Sequence, residues 1–139
     1  MSKAKSAIKG LGEIALRVED LDAMQEFSGN VIGLPLIKRF PKSAFFKIAD
    51  GIDGHTQILA LFDRTDSPNY IKLDAEKTTG DHIAFAISLD DFEAEVWRLE
   101  RHGLQVDQSE HVWVHWRSLY VDDPEGNRVE LVCYDDSVR

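Results

Sequence analysis

Glu13, His82 and Glu130 are the residues with which this chain could do chemistry. Each stands in a short stretch of alternating apolar side chains: Glu13-Ile14-Ala15-Leu16-Arg17-Val18, His82-Ile83-Ala84-Phe85-Ala86-Ile87 and Arg128-Val129-Glu130-Leu131-Val132-Cys133. Successive side chains of a strand point to opposite faces. Ile14, Leu16 and Val18 therefore share one face, and Glu13, Ala15 and Arg17 the other. By the same division Ile83, Phe85 and Ile87 lie opposite His82, Ala84 and Ala86, while Val129, Leu131 and Cys133 lie opposite Glu130. All three ligand-capable side chains point away from the faces that must be covered. Two carboxylates and an imidazole suit a divalent cation such as Fe(II), Mn, Zn, Ni or Mg. Three protein ligands leave positions open for water or substrate. Periodicity gives direction only; a sheet with one solvated face carries Glu and His there without any chemistry attached.

The elements that must position these residues occur twice. After the first strand, Glu19-Asp20-Leu21-Asp22 opens a helix in which Met24, Phe27 and Val31 recur at helical spacing; after the second, Ser88-Leu89-Asp90-Asp91 does so for Phe92, Val96 and Leu99. Asp20 and Asp90 are the expected N-caps. Gly33 and Gly103 stand where a glycine ends a helix. The offset is about 70 residues, half the chain, which makes this one motif used twice. Strands are expected at 37–40, 44–48 and 57–62 in the first half, with a turn at Pro41-Lys42, and near Val106, over 112–121 and over 128–133 in the second. Asp122-Asp123-Pro124-Glu125-Gly126-Asn127 reads as a type I turn closing the last hairpin. Residues 64–80 form the polar connection between modules at 11–63 and 81–135, and residues 1–10 form a tail.

Composition narrows the classes. A chain of 139 residues, 43% hydrophobic and 29% charged, fits one globular domain. A net charge of −9, with Lys3, Lys5 and Lys9 as the only basic concentration, argues against a nucleic-acid surface and leaves room for a cationic ligand. No apolar run approaches the ~20 residues of a membrane span, and the first ten residues lack the apolar centre of a signal peptide, so a cytoplasmic location is expected. The single Cys133 excludes an intramolecular disulfide and reads as a core thiol.

The doubled pattern, with IGLPL after the first helix, DHIAF opening the second half and WRSLYVDDPEGNRVEL near the end, resembles the vicinal oxygen chelate superfamily of glyoxalase I, fosfomycin-resistance proteins, extradiol dioxygenases and bleomycin-resistance proteins. The likeness runs from about Leu11 to Tyr134. It implies an α+β fold in which two tandem βαβββ modules form a U-shaped mixed sheet around a concave site. It places Glu13, His82 and Glu130 as metal ligands in one cavity, although the first strand of that family usually supplies His or Gln. Its fourth ligand would fall near Ala60, which cannot bind a metal; His55 and Gln57 lie close enough that a shifted alignment would bring one of them inward. The same resemblance implies a homodimer, a site formed within one chain or across two, and a small substrate with adjacent oxygens processed by dioxygenase-, lyase- or transferase-type chemistry. The alternative is a metal-free sequestering protein of the bleomycin-resistance type.

Around this constellation, His111, Trp113, His115, Ser118 and Tyr120 are candidates for substrate contact, with His115 and Tyr120 as the acid or base groups. Arg17 and Arg128, which share faces with Glu13 and Glu130, either hold a substrate anion or pair with a neighbouring carboxylate.

Overall fold

The computed structural model describes residues 6–139; Lys3 and Lys5 of the expected tail lie outside them, and 6–12 carry neither helix nor strand. The first module comprises β1 (Glu13–Val18), α1 (Leu21–Glu26), β2 (Leu36–Phe40), β3 (Ser43–Asp50) and β4 (Thr56–Asp63), and the second comprises β5 (His82–Ala86), α2 (Phe92–Arg101), β6 (Asp107–His111), β7 (Trp116–Asp122) and β8 (Arg128–Tyr134). Each module makes its own four-stranded sheet, in the orders β1-β4-β3-β2 and β5-β8-β7-β6. In both, the first pair is parallel and the other two are antiparallel. The expected α+β fold of two βαβββ modules is what the chain adopts. The connection contains one short 3-10 turn, Ala75–Lys77.

Local chemistry sets the helix ends. The Asp20 carboxylate accepts the Ala23 N–H at 3.0 Å and so caps α1. The chain then loosens into a π-helical stretch, Phe27–Ile32, and stops at Gly33, whose φ of 97° only glycine adopts without strain. Asp90 does not cap α2. A 3-10 turn over Leu89–Asp91 precedes that helix, and the Asp91 N–H already bonds the Ser88 carbonyl at 3.1 Å, so this orphan donor needs no carboxylate. A second departure concerns the strand expected over 112–121. The chain leaves β6 at His111, makes a 3-10 turn over Val112–Val114, and reverses through His115 at φ 58° into β7.

Apolar faces meet between the modules. Phe92, Val96 and Leu99 of α2 pack on Leu119, Val121, Val129, Leu131 and Cys133, and Phe27 from the first module completes that cluster. The other cluster joins Val18, Leu21, Met24, Phe46, Leu59 and Leu61, with Ile83 and Phe85 of β5 packed against it. Each core thus takes side chains from the opposite module. Burial pushes the Cys133 thiol up in pKa, in keeping with an inert core thiol. A polar clasp adds to the packing: the Glu125 carboxylate accepts the N–H groups of Glu19 and Asp20, both at 2.9 Å, while Glu19 accepts the Tyr70 hydroxyl at 2.7 Å and the Leu73 N–H at 3.1 Å.

Candidate functional site

Strand register lays out the open face of the second sheet row by row. His82 pairs with Arg128, which pairs with Asp122. Ala84, Glu130, Tyr120 and Asp107 make the next row, and Ala86, Val132, Ser118 and Ser109 the one after. Trp116 then aligns with His111 and Tyr134. Small side chains on β5 leave the floor open beside Glu130.

Glu130 is the focus of this floor. Only 4% exposed, it accepts the Ser118 hydroxyl on Oε2 at 2.6 Å, and its Oε1 lies 3.1 Å from His82 Nε2. A carboxylate taken out of water is costly unless its lone pairs are engaged. His82 is held from the other side, its Nδ1 being 2.6 Å from Asp81 Oδ1. With the proton of a neutral imidazole on Nδ1, bonded to Asp81, Nε2 turns a lone pair toward Glu130 Oε1. Two such lone pairs 3.1 Å apart need a proton or a cation between them. The separation also accommodates two ligands each ~2.0–2.2 Å from one ion, and a carboxylate behind the ligating histidine is the usual outer partner of a metal histidine.

Glu13 does not join this pair within one chain. It is exposed on β1 in the other sheet, and among the described residues no three His, Cys, Asp or Glu side chains gather closely enough to hold a metal. Register explains the missing fourth ligand. Ala15 pairs with Ala60 as Ala84 pairs with Glu130, so Ala60 occupies the position equivalent to Glu130. Gln57 alternates with Ile58 onto the opposite face, and His55 is exposed in the turn before β4. Neither side chain replaces the missing donor.

Among the aromatic and histidine candidates, Tyr120 lies beside Glu130, its ring 6.4 Å from that of His82 and edge-on to it. Its hydroxyl is 3.0 Å from His111 Nε2 and accepts from Ser109 at 3.2 Å. His115 sits instead in the β6–β7 turn, with Nδ1 2.7 Å from the Val138 carbonyl, and Trp113 is 84% exposed. Asp81 and Ser109 are site neighbours that the sequence alone does not single out; the place of Ser109 opposite Ser118 becomes visible only once the hairpin register is known. Arg128 pairs with Asp107 at 2.6 Å and Asp122 at 3.2 Å, which resolves its two readings in favour of the ion pairs. The Arg128 hydrogen bond, followed by one from the Gln105 amide, holds the Asp107 carboxyl below its ordinary pKa.

The equivalent floor of the first sheet has a different lining. Its rows are Arg17, Phe62, Ser43 and Phe40; then Ala15, Ala60, Phe45 and Lys38; then Glu13, Ile58 and Lys47. Phe45 meets Phe40 and Phe62 edge to face, with centroids 5.9 and 5.7 Å apart. Away from both floors, a cavity of about 430 Å³ opens between the apolar sides of the modules, lined by residues including Ile14, Ile48, Ile83, Phe85 and Ile87.

The family model for the Glyoxalase/Bleomycin resistance protein/Dioxygenase superfamily matches residues 10–131, and the chain belongs to that superfamily. Its similarity to the catechol-2,3-dioxygenase of Bacillus subtilis (strain 168) is 28% identity over 124 residues, covering 87% of this chain and 40% of that protein. The chain therefore spans less than half the length of that relative. Among solved structures, a glyoxalase/dioxygenase from Nostoc punctiforme is 26% identical with a TM-score of 0.73, covering 98% of each chain. A lactoylglutathione lyase from Agrobacterium tumefaciens is 29% identical with a TM-score of 0.66, covering 94% of this chain and 96% of that one. Among the described residues, no helix is long and apolar enough to cross a membrane.

Proposed function

We propose that the protein is a divalent-metal-dependent enzyme acting on a small substrate with adjacent oxygens, and that His82 and Glu130 hold the metal. The observation that carries this reading is the 3.1 Å approach of His82 Nε2 to Glu130 Oε1, with Asp81 behind the imidazole and Ser118 behind the carboxylate. A bound divalent ion supplies Lewis acidity, polarising a substrate oxygen or lowering the pKa of a water. The chain's own groups do the rest. Tyr120, a cross-strand neighbour of Glu130, is the group that gives or takes a proton at the substrate through its hydroxyl. His111, with Nε2 3.0 Å from that hydroxyl, relays the proton, a role that falls to it rather than to His115.

The third ligand is Glu13 of the partner subunit. Within one chain the modules are joined through their apolar sides, and the polar side chains of β1 and β5 stay exposed. A homodimer that turns the first floor of one copy toward the second floor of the other would complete the donor set. Elemental analysis of protein purified without added chelator tests the metal, with at least one divalent ion expected per dimer. Mixing Glu13→Gln and Glu130→Gln subunits tests the assembly: each variant alone should lose metal, and the mixed dimer should regain one whole site. Absence of any divalent ion, together with unchanged metal binding in His82→Ala, would overturn the reading.

One observation favours a second reading, a metal-free binding protein. Both Glu130 oxygens already have partners inside the chain. A thermal shift with cationic aromatic ligands and none with Mn, Fe, Co, Ni or Zn would support it over the first.

A further inference from the structure

The first module's floor holds cations that the chain leaves without acidic partners. The protein has 25 acidic and 16 basic residues, so carboxylates are in excess, and Arg39, Lys42, Lys47, Lys77, Arg98, Arg117 and Arg128 all form ion pairs. Arg17, Lys38 and Arg64 form none among the described residues, as is also true of Lys9, Lys72, Arg101 and Arg139, but these three alone gather on one sheet face or at the end of its strand. Two of them lean on aromatic rings instead, Arg64 at 4.6 Å from the Phe62 centroid and Lys38 at 5.5 Å from that of Phe40. Arg17 is the cross-strand partner of Phe62. Three cations thus surround the ladder formed by Phe40, Phe45 and Phe62.

The ladder stands at right angles from ring to ring, with interplanar angles of 89° and 88°. Such a surface offers both ring faces and ring edges, the two contacts that an aromatic guest uses. Beside it Ala15 is exposed, flanked along β1 by Arg17 on one side and Glu13 on the other. Four residue steps along β1 separate these two positions, a span of about 13 Å. That is room for one ring carrying a polar group at each end.

We propose that this floor is a subsite for an aromatic carboxylate, its ring on Phe45 and Phe62 and its carboxylate on Arg17 and Arg64, with Lys38 on the opposite edge of the platform. Arg17 presents a fork that donates two parallel hydrogen bonds to a carboxylate. The inference rests on the proposed function only in sending the far end of the ring toward Glu13 and the metal. Recognition of the anion itself is independent of any ion.

The test is calorimetric titration of the full-length protein in EDTA with salicylate, phenol and cyclohexanecarboxylate. Salicylate is expected to bind saturably, about tenfold or more tighter than phenol, as loss of one charge-assisted contact implies, and tighter than cyclohexanecarboxylate, which lacks the aromatic ring faces and edges. Arg17→Gln, and independently the exposed Arg64→Gln, should weaken salicylate about tenfold while leaving phenol alone. Phe45→Leu should erase the preference for salicylate over cyclohexanecarboxylate. The proposal is overturned by absence of saturable salicylate binding, by equal affinity for phenol, or by salicylate affinity unchanged in both arginine variants. A smaller species on gel filtration for Arg17→Gln, with salicylate affinity retained, would overturn it too by assigning the cation to a subunit contact. Because the titration is run in EDTA, a failed metal assay leaves this inference standing, and a failed titration leaves the metal reading standing.

Discussion

The two sheets share a plan and differ in what they place on it. At equivalent register positions Glu13 stands for His82, Ala60 for Glu130, Phe45 for Tyr120 and Ser43 for Ser118. In the second sheet a buried carboxylate is tied to a hydroxyl and an imidazole. In the first, the matching position is a methyl group, fully buried, with the ring of its cross-strand partner Phe45 beside it. One half of the repeat became a polar constellation and the other an aromatic platform edged with cations. A duplicated scaffold can therefore divide its labour by side chain alone, since the strand order and, at these positions, the register are the same in both sheets.

The largest effect should come from the polar half. His82→Ala and Glu130→Gln should each weaken divalent-ion binding by more than about 100-fold, beyond what loss of an outer partner costs; titration with Zn or Mn measures it, and retention of full affinity in both would place the chemistry elsewhere. Ala60→Glu, which restores the equivalent acid to the aromatic half, should destabilise on the order of 3 kcal/mol because the new carboxylate is buried without a partner. Denaturant unfolding reads that loss, and a neutral result would mean the first floor is wetter than the second. The paired serines sharpen the contrast further. Ser118→Ala leaves Glu130 Oε2 without its donor and should cost about 1–3 kcal/mol, whereas Ser43→Ala at the equivalent position, where no side-chain hydrogen bond is made among the described residues, should stay within about 0.5 kcal/mol.

The smallest effect concerns the strand ends. Glu19, just after β1, is held below the ordinary carboxyl pKa by the Tyr70 hydroxyl first and the Leu73 N–H second, and Tyr70 is correspondingly pushed up to about 12. The equivalent residue of the second module, Ser88, has no such role. A carboxyl with a lowered folded-state pKa contributes stability that is fully present above its unfolded value and lost as pH falls through the folded one. The stability gap between the native chain and Glu19→Gln should therefore be open at neutral pH and close as pH falls below the ordinary carboxyl range. Unfolding curves at neutral and acidic pH would show it. A gap that widened in acid would contradict the assignment.

How much was legible beforehand follows from which interactions are local. Strand alternation around Ile14, Ile83 and Val129 set the correct faces, and Asp20, Gly33 and Gly103 marked helix ends, because caps and pleats are decided within a few residues. Asp90 misled because a 3-10 turn met the same need by backbone alone. His115 stands elsewhere than a continuous strand would put it, because its left-handed backbone turns the expected strand into a hairpin, leaving that imidazole in the β6–β7 turn and His111 opposite Trp116. The Ser118–Glu130 bond and the phenylalanine ladder were out of reach, since both depend on which residues of different strands stand opposite one another. Ala60 was the exception: its equivalence to Glu130, expected from resemblance, is reproduced by the register.

The clasp at Glu125 bears on how the chain acquires this shape. α1 is six residues long, too short to persist alone in water, and the carboxylate that satisfies the N–H groups leading into it comes from a turn 105 or 106 residues further on. On a ribosome, the amino-terminal half would emerge and wait, its opening helix incomplete, until nearly the last hairpin had been synthesised. The halves should accordingly fold as one cooperative unit, and either half expressed by itself should remain unstructured.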